Sequence, residues 1–124
     1  MMDYWLLMGA AGISLFGLYF HGVVGRRLYL GNIRAANTPT RTVSLSAVSW
    51  DMFSIVLAVS GFVFVYAAYD PTALMLVYPV LLMQGLGAAL FVALALSGHA
   101  DLWRLPGAYL MGTTCLLGGL AVFV

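Results

Sequence analysis

The sequence has no lysine, no glutamate and a single cysteine. Charge of any kind is scarce: five arginines and four aspartates among 124 residues, 7% of the chain. A soluble domain this small wets most of its surface, and about a quarter of its residues are charged. The supply here cannot build a water-facing surface, and without Lys and Glu the usual pairs of a solvated helix face are missing. The formal net charge of +1 gives no basic surface for nucleic acid. The lone Cys115 lies inside an apolar run, so neither an internal disulfide nor a CxxC metal site is open to it. It reads as a buried, inert thiol. Nothing resembles a P-loop, a nucleophile elbow or a catalytic triad, and no enzyme is expected.

What is present is apolar: 64% of the residues are hydrophobic. A membrane-crossing helix needs about 20 mostly apolar residues, and four stretches qualify, at about 4–24, 44–69, 73–96 and 106–124. The expected fold is an all-α membrane protein, a four-span antiparallel transmembrane helix bundle forming one domain over 1–124. The N-terminal Met1-Met2-Asp3-Tyr4-Trp5 lacks the basic region of a signal peptide, so the first stretch reads as a retained span. Gly25-Arg26-Arg27 is expected to stop it. Residues 25–43 then form the one long loop, with Asn37-Thr38-Pro39-Thr40 breaking any helix. Tyr69-Asp70-Pro71-Thr72 reads as a tight turn, residues 97–105 as a short polar link, and Pro106 as part of a first helical turn. No internal repeat is visible, which argues against an inverted-repeat transporter.

Orientation follows from arginine. Arg26, Arg27, Arg34 and Arg41 fall in the first loop and Arg104 in the third, whereas the opposite side carries only Asp3 and Asp70. The positive-inside rule therefore places both termini outside the cytoplasm, in a bacterial inner (plasma) membrane.

Lipid gives helices no hydrophobic drive to associate, so small residues that permit close approach mark their contacts. Gly85, Ala89, Ala93 and Ser97 recur every four residues on the third span. Ala10, Ser14, Gly17 and His21 share a face of the first, and Ala47, Asp51, Ser54, Ala58 and Gly61 a face of the second. These ridges predict tight packing, against the same chain or another.

Asp51 lies about 9 Å inside the second span and His21 about 6 Å inside the first, from the same side. A charged group inside a membrane needs a partner, protonation or water. The two therefore form a candidate intramembrane polar pair; the blander reading pairs Asp51 with Arg26 or Arg41. Gln84 falls near the midplane, and with Ser54, Thr113 and Thr114 it makes a candidate polar lining. His99, Asp101 and Arg104 gather on the arginine side. No HxxxH spacing is present and no metal is expected. A haem between His21 and His99 is geometrically conceivable, but no cofactor is expected.

The leading functional expectation is a small non-enzymatic membrane protein that works by association, as an accessory subunit of a membrane assembly or a homo-oligomer. Its partners are then the lipid bilayer and other membrane subunits. The alternatives are a proton-linked transporter or channel using His21 and Asp51, and a redox subunit holding haem or quinone. Size and span count are similar to those of small multidrug resistance transporters and fluoride channels. The first-span glutamate of the former and the Asn-rich and Thr-Phe-Ser stretches of the latter are missing, so neither function is carried over.

Overall fold

A computed structural model describes residues 1–123, and these form helices joined by short turns, without a strand. Helix α1 spans Met2–Tyr19 and passes without a break through a π-helical turn, Phe20–Gly25, into α2, Arg26–Ala35. Helix α3 spans Thr40–Tyr69 and α4 Val77–Leu96, the latter entered through a 3₁₀ segment at Pro71–Leu76. A second 3₁₀ segment, Ala100–Arg104, leads to α5, Gly107–Phe123. Three helical stretches, Met2–Ala35, Thr40–Tyr69 and Pro71–Leu96, are long and apolar enough to cross a membrane; α5 is a shorter apolar helix. Val124, the end of the expected fourth span, lies outside the described residues.

The outer surface suits such a solvent. Phe16, Phe62, Leu86 and Leu116 all point outward, and contiguous exposed apolar surface on this scale marks a membrane-facing protein.

The helices pack in the order α3, α1, α5, α4, each antiparallel to its neighbour, while α4 touches α3 only sparingly. Small residues set the approach. Ala10, Ala11, Ser14 and Gly17 are the buried face of α1, and Gly61 on α3 and Gly118 on α5 are buried opposite large side chains. A Cβ on Gly118 would stand 2.7 Å from the Phe64 ring and 2.8 Å from Leu81, so that position has no room for even a methyl group. Phe64, fully buried, therefore fills the space where α3, α4 and α5 converge.

The expected long loop over 25–43 is not there. Gly25-Arg26-Arg27 ends the apolar run but not the helix: arginine is a good helix former, and leaving an apolar phase removes no backbone hydrogen bond. The chain turns only at Ala36–Pro39, where Asn37 takes the left-handed conformation with φ 53° and Thr38 Oγ1 donates to the Ile33 carbonyl at 2.9 Å. The 34 residues of Met2–Ala35 extend about 51 Å, well beyond a hydrocarbon core of about 30 Å. Helix α2 and the start of α3 thus form a helical hairpin carrying four of the arginines past the apolar zone.

At the other end Asp70 closes the α3–α4 turn. Its Oδ1 accepts the Thr72 hydroxyl at 2.6 Å and the Thr72 N–H at 3.0 Å, and Tyr66 donates to Oδ2 at 3.2 Å. The Thr72 hydroxyl, then its N–H, hold the Asp70 carboxyl below the usual carboxylate range.

Two expectations follow. A group whose folded pKa is depressed stabilises the fold above its unfolded value of about 3.9 and loses that contribution as pH falls through the folded pKa. Thermal unfolding in detergent, scanned from about pH 6 to about pH 3, should therefore decline less steeply for Asp70→Asn than for the parent; equal slopes would remove Asp70 as the source. In packing, Ala10→Leu overfills a site with no exposed surface and should cost about 1–3 kcal/mol. Ala89→Leu, on an outward face, should leave the unfolding midpoint of the isolated chain unchanged.

Candidate functional site

In an α-helix each carbonyl accepts from the residue four ahead. At the end of α1 the register slips by one, so that the Arg26 N–H reaches back to the His21 carbonyl, five residues earlier. Such π turns concentrate at functional sites, because the extra residue re-aims the side chains around it. Here it presents both His21 and Arg26 to α3.

Helix α3 answers with two adjacent residues and a third one turn further on. Trp50 Nε1 donates to the same His21 carbonyl at 2.9 Å. His21 Nδ1 and Ser54 Oγ share a hydrogen bond of 3.0 Å. Arg26 grips Asp51 with both ends of its fork, Nε to Oδ1 at 2.7 Å and Nη2 to Oδ2 at 3.1 Å. The His21 ring lies flat on Trp50, with centroids 4.1 Å apart and planes 7° from parallel. Tyr29 stacks on Trp50 at 4.4 Å, and Phe53 meets His21 edge-on at 4.9 Å. Gly25 makes the stack possible, since a Cβ there would stand 2.9 Å from the Trp50 ring.

His21 and Asp51 are thus brought to the same patch, but each has its own hydrogen-bonding partner: Ser54 for the histidine and Arg26 for the aspartate. A bidentate Arg–carboxylate contact is the strong form of ion pair, so Asp51 carries a compensated charge.

The aromatic stack is one wall of a cleft of about 820 Å³. It opens where α3 and α4 diverge at the arginine-bearing end. Phe20, Leu57, Leu110 and Met111 form its floor, Leu90 and Phe91 of α4 its far side, and Leu102, Arg104 and Leu105 its rim. The volume lies within the range of about 300–1,000 Å³ usual for sites of small organic ligands. Its lining is apolar apart from His21, Tyr29, Asn32, Trp50 and Arg104.

The remaining expected residues fall elsewhere. Gln84 is 1% exposed and donates from Nε2 to Ser60 Oγ at 3.2 Å, not to the threonines. Thr113 faces outward and donates to the Tyr109 carbonyl, whereas Thr114 is buried. Gly85 sits against Cys115 Sγ, whose S–H donates to the Leu81 carbonyl at 3.5 Å. Ala89, Ala93 and Ser97 are exposed, so most of the α4 ridge faces away from this chain's own helices. His99 is exposed and does not line the cleft. Among the described residues no three His, Cys, Asp or Glu side chains come together.

Sequence reasoning missed the cleft and its ring stack. The residues were visible, but only the π turn tells which way they point, and Phe-His-Gly-Val-Val-Gly carries no signature of a register slip.

No protein-family model matches the chain, and no curated protein or solved structure is significantly similar to it. The geometry carries the functional argument alone.

If the Arg26–Asp51 contact carries the coupling, Arg26→Gln and Asp51→Asn should each destabilise the protein, and the double variant should lose less than the two losses added. Denaturant unfolding in detergent reads this directly. Additive losses would mean that the contact contributes nothing.

Proposed function

We propose that this chain is a non-enzymatic four-span protein of the inner (plasma) membrane, with both termini outside, that works by binding a membrane-borne amphiphile in the cleft at its arginine-rich end. The observation that carries this reading is the cleft itself: large, apolar at its floor, polar only at its rim and one wall, and lying where two helices part. An apolar body is accommodated by Leu57, Leu90, Leu110 and Met111, while a polar head meets Asn32 and Arg104 at the mouth. The stack of His21, Trp50 and Tyr29 is held on both sides by hydrogen bonds and rings, which makes that wall rigid before any ligand arrives. The positive-inside rule supports the orientation.

A second reading rests on a different observation. The outward Ala89, Ala93 and Ser97 offer a small-residue face to another helix, which favours association as a homo-oligomer or as an accessory subunit. The two readings are compatible, since they use different faces of α4. Proton-linked transport through a His21–Asp51 pair has less support, because Asp51 is already engaged by Arg26. A quinone-type ligand remains one member of the amphiphile class.

Native mass spectrometry from mild detergent tests both. The parent should carry a lipid-sized adduct, and Leu90→Trp, which fills the cleft from its far side, should remove it. Ala89→Leu should keep the adduct and lose any oligomer. No adduct, or one indifferent to Leu90→Trp, would overturn the cleft reading.

A further inference from the structure

We infer that the occupant of the cleft is a lipid with a negatively charged head, held at the rim by Arg104. This rests on the cleft being a binding site, as proposed above, and adds the sign of its ligand. The argument is a charge inventory. Arg104 is the one charged side chain in the lining, and no carboxylate lines the cleft. Asp51, the nearest carboxylate to the ring stack, is neutralised by the bidentate grip of Arg26. Arg104 itself is only loosely held: its contact with Asp101 is 3.9 Å long, with the two side chains 86% and 99% exposed. Such a pair is weak and readily exchanged for another anion. Among the described residues Arg27, Arg34 and Arg41, at the same end, have no ion-pair partner, so the potential over the mouth is positive. Arg104 and the Asn32 amide supply N–H donors in the lining, groups that suit a phosphate or carboxylate oxygen. Beneath this rim the walls are aliphatic and aromatic, which suits an acyl chain, and the gap between α3 and α4 lets a lipid slide in from the bilayer without leaving it.

Trp50 reports occupancy from inside the site. In a Trp5→Phe, Trp103→Phe background it is the only indole, and bromine on a lipid chain quenches an indole only at contact. The protein is placed in phosphatidylcholine vesicles containing increasing mole fractions of either brominated phosphatidylglycerol, an acidic lipid, or brominated phosphatidylcholine. The acidic lipid should quench saturably at about fivefold lower mole fraction, the ratio that one arginine contributes toward an anionic lipid surface. Arg104→Gln should abolish that preference, and Arg34→Gln, outside the lining, should retain it. Saturable quenching at equal mole fractions by both lipids would overturn the acidic head and leave the cleft reading standing. Equal loss of preference in both arginine variants would assign it to the general surface potential and likewise overturn Arg104's role. Quenching that rises without saturation for either lipid would overturn the cleft reading itself.

Discussion

The backbone hydrogen bond from Arg26 to the His21 carbonyl sets the register on which the arginine-bearing end is built. In a regular helix, residues five apart point in different directions. The π turn brings His21 and Arg26 toward one neighbour, where a residue pair and a third one turn away are waiting as Trp50, Asp51 and Ser54. The widened turn also leaves the His21 carbonyl accessible, and Trp50 uses it. That bond in turn fixes the indole plane on which His21 and Tyr29 stack. One slip of register therefore orders the ring wall, pairs the half-exposed Asp51 carboxylate with Arg26, and carries the helix onward into α2. The carbonyl thus accepts two bonds, one from the Arg26 N–H and one from the indole, and so ties the slip to α3.

Much of the fold was legible. Apolar stretches of about 20 residues and the Asp70-Pro71 turn located the helices. The small-residue faces of α1 and α3 were visible, but not what they pack against. In the structure Ala10, Ser14, Gly17 and Gly61 are buried, while Ala47, Asp51, Ser54 and Ala58 are partly exposed. The failure at 25–43 has a physical cause. Hydropathy measures where a chain leaves lipid, and a helix ends only where its backbone bonds end, here at Asn37. The α4 ridge shows a second limit. Small-residue spacing says that a close approach is possible on a face; it does not say to what, and Ala89 and Ala93 face outward. Of the candidate site, the individual residues could be singled out, and Arg26 stood among the alternative partners of Asp51, but the choice between partners could not be made. His21 and Asp51 do come to one patch, yet a distance in sequence cannot reveal that Arg26 takes the carboxylate and Ser54 the histidine.

The middle of the bundle is organised by a different device. Among the described residues the buried polar side chains are Ser14, Ser60, Gln84 and Thr114, one each on α1, α3, α4 and α5. The contacts of Gly17 with Leu57 and Leu110, of Gly61 with Leu15 and of Gly85 with Cys115 place all four near one level. Gln84 spans the sparing α3–α4 contact through Ser60, which donates onward to the Val56 carbonyl at 2.7 Å. Ser14 Oγ and Gln84 Oε1 have no partner among the described residues. In an apolar interior polar side chains specify which helices may face each other more than they add stability, because mispairing leaves more groups unsatisfied.

This layer also explains why the cleft lies where it does. Above it, α3 and α4 are tied by the Asp70 turn and by Phe64, Val77, Val80 and Leu81, which pack together as one core. Among the described residues, the Ser60–Gln84 bond is the one side-chain hydrogen bond between α3 and α4. Below it α4 follows α5, with Gly87 receiving Met111 and Gly107 receiving Phe91, while α3 follows α1 through Gly22 against Ser54 and Gly25 against Trp50. Each half of the hairpin thus has a preferred neighbour of its own, and the two preferences pull it apart. The gap is not a packing defect that a repacked side chain would close, because both of its edges are committed to other helices. The rings and the arginine at its mouth, with the aliphatic walls beneath, give the gap a polar end and an apolar one.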